Sequence, residues 1–162
     1  MGAQGNFVIR KAEKKDACLV LKFIRKIAEY ERMSQQVVAT QELLEEFVFD
    51  RKAAEVLIGE ADGRPVGFAL YFESFSTFLG RTGIHLEDLF VDPDQRGQGY
   101  GKRLLQAVAE TAAERGCQRL EWTCLNWNQP SIDFYRYMGA VPLEEWTTFR
   151  LAGGAIEAAL EK

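Results

Sequence analysis

Apolar residues recur along this chain at spacings that predict short strands and amphipathic helices. A first strand is predicted over Asn6–Ala12. A helix follows from about Lys15 and ends within Tyr30–Met33, because apolar side chains recur at helical spacing between these points. Thr40 is a suitable N-cap for a second, shorter helix over Gln41–Phe49. The N-terminal third is therefore predicted to be one strand followed by two helices.

The middle of the chain favours strands. Ala54–Glu60 and Pro65–Glu73 flank an Asp-Gly pair, which is a strong hairpin signal. Ser74–Gly83 is polar, aromatic and glycine-containing, and we expect a loop there before the next strand over Ile84–Val91. Pro93 ends that strand, because proline cannot donate to a sheet ladder.

The last third is predicted to combine two helices with three strands. The clearest helical pattern runs over Lys102–Arg115 and stops at Gly116, and Gln118–Leu125 alternates as a strand should. Pro130–Met138 is predicted to be a short helix, and Ala140–Leu160 two strands around a glycine pair. The order βααβββαβαββ predicts an α/β fold with a central mixed sheet of about seven strands and about four helices.

Composition and charge narrow the class of protein. The 162 residues fit a single domain over 1–162, and a net charge of −4 with both signs interspersed leaves no basic stripe for nucleic acid. No apolar run reaches the roughly twenty residues that cross a bilayer, and the start resembles no signal peptide, so we expect a cytoplasmic protein without membrane contacts. Three cysteines without a C-x-x-C pair and one histidine cannot assemble a His/Cys metal cluster, and no metal is predicted.

A glycine-rich turn lies between the strand that ends at Val91 and the clearest helix. Its residues are Arg96, Gly97, Gln98, Gly99, Tyr100 and Gly101. Glycines let the backbone approach a phosphate, and a helix N-terminus favours an anion, with Arg96 and Lys102 as compensating charges. A tight turn needs glycine without any ligand as well, so this motif alone leaves both interpretations open. A Walker P-loop is excluded because Gly-Lys-Ser/Thr is absent, and a dinucleotide fingerprint fits poorly.

Together with a second motif, this turn resembles the GNAT superfamily of N-acetyltransferases. Arg96, Gly99 and Gly101 match the family's pyrophosphate-loop pattern Arg/Gln-x-x-Gly-x-Gly/Ala, and the family's second landmark runs over Asn128–Ala140. Further segments resemble the diamine acetyltransferases, the spermidine/spermine type and its thialysine relatives: Phe7–Arg10, Ala28–Glu31, Val66–Ala69, Leu86–Val91 and Trp127–Asn128. The resemblance implies the GNAT fold, acetyl-CoA as co-substrate and a small-molecule amine as acceptor.

The resemblance also implies two catalytic residues. An alkylammonium has a pKa of about 10.4 and must lose a proton before it attacks, and Glu87 matches the glutamate thought to remove it through water. Alternatively, Glu87 is a solvated or cation-pairing carboxylate. Tyr135 matches the tyrosine that protonates the departing CoA thiolate, although an aromatic at this position of a short helix also fits core packing.

Further residues are expected to bind the two substrates. The cofactor is expected to contact Leu89, Phe90, Val91, Arg96, Gly97, Gln98, Gly99, Tyr100, Gly101, Lys102, Asn128, Pro130, Ser131 and Tyr135. The acceptor amine is expected to contact Tyr30, Glu31, Glu87 and Trp122. A backbone N–H of the Leu89–Val91 strand, which is splayed in this family, is implied as an oxyanion donor. Asn128 and Ser131 would hold the pantetheine arm or cap the Pro130 helix.

The loop over Ser74–Arg81 bears on the identity of the amine. It lacks the carboxylate that polyamine enzymes of this type place there, and it adds Arg81. We therefore expect a diamine, a thialysine-like or an amino-acid-like substrate rather than spermine. Arg81 either meets a substrate carboxylate or is an ordinary exposed arginine. His85, two positions before Glu87, should face the same side of the strand, as a proton relay or as a structural residue.

Two alternatives to a small-amine enzyme remain open at this stage. One is a non-catalytic acyl-CoA-binding module that keeps the fold, and the other is a protein or peptide N-acetyltransferase. The subfamily resemblance also implies a homodimer that pairs through the final strands.

Overall fold

Five strands form one mixed sheet in the order β1-β2-β3-β4-β5. They are β1 (Phe7–Lys11), β2 (Glu55–Ala61), β3 (Arg64–Ser76), β4 (Arg81–Val91) and β5 (Leu120–Glu121). The first four strands pair antiparallel, and β5 pairs parallel to β4. The computed structural model describes residues 6–162, which divide between Leu125 and Asn126 into two units, and the sheet lies in the first.

Helices cover both faces of the sheet in this first unit. They are α1 (Ala17–Tyr30), α2 (Gln41–Leu44), which continues as a π-helical segment over Glu45–Asp50, and α3 (Tyr100–Glu114). The ring of Phe68 on β3 stacks on Phe23 of α1 with centroids 5.2 Å apart. A Cβ on the neighbouring Gly67 would lie 3.3 Å from Leu104 of α3. Because adjacent strand residues face opposite sides, α1 and α3 lie on opposite faces.

Several predicted elements are confirmed in this unit. Strand β1 and the long helices lie where the pattern placed them, and Thr40 caps α2 by accepting a hydrogen bond from the Leu43 N–H. Asp62 and Gly63 turn the β2–β3 hairpin with φ angles of 49° and 79°. Both central residues have positive φ, as the tight hairpin turn indicated by Asp-Gly requires.

Two segments of this unit differ in length from their predictions, one loop and one strand. The expected loop over Ser74–Gly83 is mostly strand, because β3 and β4 stay paired as far as Ser76 and Arg81, and only four residues turn. The ladder satisfies the backbone groups that a loop would leave to solvent. The strand expected over Gln118–Leu125 is limited to Leu120–Glu121, because β5 pairs with only two residues of β4.

The second unit, Asn126–Lys162, contains α4 (Gln129–Tyr137) and α5 (Gly154–Ala158), which is followed by a 3-10 turn over Ala159–Glu161. The two strands expected within Ala140–Leu160 are wrong, because no strand occurs in this described segment. Its end is rich in Ala, Glu and Leu, which favour helix. Residues 6–162 thus hold five strands and five α-helices, and the predicted seven and four are not confirmed.

Candidate active site

A β-bulge places Glu87 on strand β4. Across the β3–β4 ladder Leu70 pairs with Asp88 and Tyr71 pairs with Leu86, so Glu87 is the extra residue on β4. A bulge bends the strand and re-aims the side chains next to it. The Glu87 side chain is 56% exposed. It is therefore open to a substrate while its backbone is held within the sheet.

Three carboxylates influence one another at this point of the strand. Glu31, the residue that ends α1, interacts electrostatically with both Glu87 and Asp88. Burial first, and then the charges of Glu87 and Glu31, raise the pKa of Asp88 to about 7. Burial and the charge of Glu87 raise the pKa of Glu31 as well. A cation bound here would relieve this repulsion, so the site favours an ammonium group.

Asp88 is not among the site residues predicted from the sequence. A signal for it was present, since the run Leu86-Glu87-Asp88-Leu89 places two polar residues side by side in an alternating strand. A bulge interrupts the alternation of side chains in this way, because two residues of the bulged strand lie opposite one residue of the partner strand.

His85 lies beside Glu87, as their two-residue spacing predicts. Its Nε2 atom is 3.5 Å from Oε2 of Glu87, and 25% of its side chain is exposed. The imidazole ring stacks on Phe72, with ring centroids 5.0 Å apart and an interplanar angle of 29°. The contact with Phe72 restricts the ring, and its Nε2 edge reaches toward the carboxylate.

Strands β4 and β5 separate immediately after this point. Their pairing consists of Ile84 with Leu120 and His85 with Glu121. The following residues of β4, including Leu89, Phe90 and Val91, pair with β3 on one edge only. Phe90 and Val91 are buried. The edge of β4 that faces away from β3 therefore presents backbone groups along Leu89–Val91 that an extended ligand can pair with.

The glycine-rich turn connects β4 to the N-terminus of α3. Gly97 and Gly99 have φ angles of 78° and 81°, a region that residues with a Cβ rarely adopt. Gly99 is the N-cap of α3 and no side chain caps the helix. Tyr100 is buried with its ring 4.1 Å from that of Phe7, and its hydroxyl donates to Oε1 of Gln98. The N–H groups of the first helical turn, rather than the Tyr100 side chain, are thus available for a phosphate.

Arg96 holds the end of β4 against the end of α1. Its Nε donates to the Val91 carbonyl at 3.0 Å, and its guanidinium lies 4.8 Å from the ring centre of Tyr30 and 5.5 Å from that of Phe90. The guanidinium also contacts Tyr30, the last residue of α1, directly before Glu31. The predicted contact of Arg96 with the pyrophosphate stays a prediction.

The segment after β5 carries Trp122, which is partly buried. Two residues later, burial and the charge of Glu31 raise the pKa of the Cys124 thiol. This segment therefore passes near the carboxylates. Arg81 does not come close to them, because it lies six residues before Glu87 on the same extended strand, about 20 Å away at roughly 3.3 Å per residue. That span is far longer than a lysine side chain.

The remaining predicted residues lie in the second unit, on or beside α4. Asn128 is buried and caps the helix, since its Oδ1 accepts from the Ser131 N–H at 3.4 Å. Ser131 is thus the capped residue and not the cap, which corrects that alternative. Pro130 lies in the first turn. Tyr135 is partly buried, with its ring 5.4 Å from that of Phe134.

The bulged strand that leads into an uncapped, glycine-lined helix N-terminus is suited to a ligand that carries phosphate. The chain belongs to the acetyltransferase (GNAT) family, whose model matches residues 22–140. A thialysine N-ε-acetyltransferase of Bos taurus is 39% identical over 163 residues, which cover 92% of this chain and 94% of the relative. One of Caenorhabditis elegans is 34% identical over 154 residues, covering 93% and 95%.

A solved structure gives the same result for the fold. An integron cassette protein from the mobile metagenome of V. cholerae aligns with a TM-score of 0.79 at 26% identity, covering 99% of this chain and 100% of that one. The predicted GNAT fold and the use of acetyl-CoA, which characterises the family, are therefore confirmed. Within residues 6–162, no helix is long and apolar enough to cross a membrane.

Proposed function

We propose that this enzyme transfers the acetyl group of acetyl-CoA to a terminal primary amine of a small molecule, by direct attack in a ternary complex. The carboxylates of Glu31, Glu87 and Asp88 beside the bulge of β4 carry this proposal. Glu31 lies at the end of α1, and Glu87 and Asp88 lie on β4. A bound ammonium would offset the repulsion between their negative charges.

Glu87 is the proposed base. The attacking nitrogen must be neutral, and an ordinary alkylammonium is almost fully protonated at neutral pH. The exposed carboxylate of Glu87 can accept the proton directly or through one water. Asp88 and Glu31 act on the substrate as a whole, because their negative charge favours a cationic molecule over a neutral one.

The proposed acetyl-CoA site follows β4 into the glycine-rich turn. The pantetheine arm pairs with the edge of β4 along Leu89–Val91, where a backbone N–H also faces the thioester oxygen. The pyrophosphate takes the N–H groups of Gly97 to Lys102 at the start of α3. The family resemblance assigns Asn128, Pro130 and Ser131 to the pantetheine arm, and Tyr135 to the protonation of the CoA thiolate.

A lysine-like or diamine molecule is the proposed acceptor. The relatives named thialysine N-ε-acetyltransferase, at 34–39% identity over almost the whole chain, support a substrate with a terminal amine on a short aliphatic chain. Tyr30, Glu31 and Trp122 would contact that chain. Arg81 is too far along β4 to meet the carboxylate of such a molecule while Glu87 holds its amine.

An amine panel tests the proposal. CoA release is followed with a thiol reagent in the presence of thialysine, lysine, ornithine, short diamines, spermine and a lysine-containing peptide. We expect kcat/KM to be highest for a lysine-like or diamine substrate. Binding of acetyl-CoA without acceleration by any amine would support a non-catalytic module, and a preference for the peptide would support a protein acetyltransferase.

A homodimer is a second proposal. Large apolar side chains between α4 and α5 are exposed, and no strand pairing occurs in that described segment: Val141, Leu143, Trp146, Phe149 and Leu151. β-branched and aromatic residues here favour an extended segment that pairs with a second copy. Sedimentation equilibrium should give twice the mass of 18.4 kDa. A monomer at micromolar concentration would refute the dimer. The cytoplasmic location stays a prediction.

A further inference from the structure

The only histidine of this chain lies where it can act on the proposed base. His85 Nε2 and Glu87 Oε2 are 3.5 Å apart, which is slightly longer than a direct hydrogen bond and close enough to become one with a small rotation of either side chain. Glu87 is the bulge residue and more exposed, whereas His85 lies in the last paired row of the β4–β5 ladder. The imidazole is therefore on the protein side of the carboxylate.

The ring of His85 lies between β3 and β5, beside the carboxylates of β4. Phe72 of β3 contacts one face of the imidazole. On its own strand the ring has Glu87 and then Asp88, and Glu31 at the end of α1 interacts with both of these carboxylates. On β5 the paired residue is Glu121, whose Oε1 is 3.4 Å from Nε of Arg119. Glu87 contacts the ring, and Arg119 is paired with Glu121.

We propose that His85 is a positioning residue that acts through Glu87 and takes over the proton that Glu87 removes from the substrate ammonium. This inference rests on the proposed function. In the first transfer, the ammonium gives one proton to the Glu87 carboxylate and becomes a neutral amine. In the second, the Glu87 carboxylic acid gives the same proton to Nε2 of His85, which restores the carboxylate and forms an imidazolium. The exposed part of the ring then releases the proton to water.

The proposed benefit is a smaller pKa difference between the substrate ammonium and the group that accepts its proton. An ordinary ammonium has a pKa of about 10.4, an ordinary carboxyl about 4.3 and an ordinary imidazole about 6.5. An imidazole is generally a stronger base than a carboxylate, so a proton that has moved on to the ring returns less readily to the amine. The gain is largest near neutral pH and shrinks as the amine itself loses its proton to solvent at higher pH.

Two variants separate proton acceptance from orientation. His85→Phe keeps an aromatic ring on Phe72 and removes both nitrogens, and His85→Gln keeps a polar group beside Glu87 that cannot accept a proton at these pH values. We expect both to lower kcat/KM for the best amine about tenfold at pH 7 and less than threefold at pH 9.5. The Kd for acetyl-CoA and the Tm should stay unchanged. Glu73→Gln, which lies next to Phe72 on β3 and therefore faces the opposite side of the sheet, is the control and should match the wild type.

A double variant tests the route of the proton. On the Glu87→Gln background, His85→Phe should cause no further loss, because His85 acts through Glu87. Full activity of either single variant, rescue by glutamine alone, a deficit that is equal at all pH values, or additive losses would each overturn this inference. Failure of every amine to accelerate CoA release by the wild-type enzyme would instead overturn the proposed function, and the inference with it.

Discussion

Replacing Asp88 by asparagine tests the electrostatics of the carboxylate group in a way that does not depend on turnover. Asp88 lies on β4 opposite Leu70, partly buried, with Glu87 and Glu31 nearby. Burial and these two charges raise its pKa from the ordinary 3.8 to about 7. Between these two values the unfolded chain has ionised this carboxyl, whereas the folded protein still holds the proton.

The sign and size of the effect follow from proton linkage. Because the unfolded state binds fewer protons over this interval, the free energy of unfolding falls as the pH rises from about 4 to about 7. The full difference corresponds to roughly 4 kcal/mol at about 1.4 kcal/mol per pKa unit. Solvent reaches part of the side chain, so we expect about half of this, ~2 kcal/mol. The contribution of Asp88 to the free energy of unfolding is therefore fully present below about pH 4 and lost above about pH 7.

Asparagine is nearly the same size and stays neutral. Asp88→Asn should therefore match the wild type in urea unfolding at pH 4 and exceed its stability by about 2 kcal/mol at pH 8. Glu31→Gln is the matched control: it removes one of the two neighbouring charges, keeps the Asp88 carboxyl and should recover only a fraction of the gain. Parallel pH profiles for Asp88→Asn and the wild type would refute the reasoning.

Three further predictions concern turnover and cofactor binding. Tyr135→Phe should lower kcat at least tenfold with little change in the Kd for acetyl-CoA, and an unchanged rate would remove the proposed acid role. Gly99→Glu should abolish acetyl-CoA binding in calorimetric titration, because it strains the turn and adds a negative charge. Gly116→Glu, at a similar φ of 70° beyond the opposite end of α3, is the control and should bind normally. Arg96→Gln should raise KM for the amine several-fold through the loss of its contact with Tyr30, whereas an effect on acetyl-CoA affinity alone would point to the pyrophosphate instead.

Much of the first unit could be predicted because its signals are local. Thr40 before a helical pattern, Asp-Gly between two alternating runs and the glycine-rich turn before α3 each specify backbone geometry through nearby residues. The position of Glu87 on a strand was also predicted, and its catalytic role stays a prediction. These elements need no knowledge of distant contacts.

The features that the sequence did not disclose depend on partners elsewhere in the chain. The length of β5 is set by where β4 diverges from it, and β3 extends to Ser76 because β4 lies opposite it. The side chain of Arg96 contacts Val91 and Tyr30 because the end of α1 lies beside the end of β4. Strand propensity within Ala140–Leu160 yields no strand because a strand requires a neighbour, and none pairs with it in the described residues.

Strand β4 runs through both the proposed acceptor site and the proposed cofactor site. Its bulge at Glu87 re-aims the carboxylate side chains, its separation from β5 leaves the following backbone edge open, and its end leads directly into the turn before α3. The proposed sites of amine, thioester and pyrophosphate thus follow one continuous segment, whose end is tied to α1 by Arg96. A shift of the bulge by one residue would move Glu87 to the opposite face while leaving the glycine turn intact. Loss of amine transfer with retained acetyl-CoA binding is therefore the expected effect of any change that removes the bulge alone.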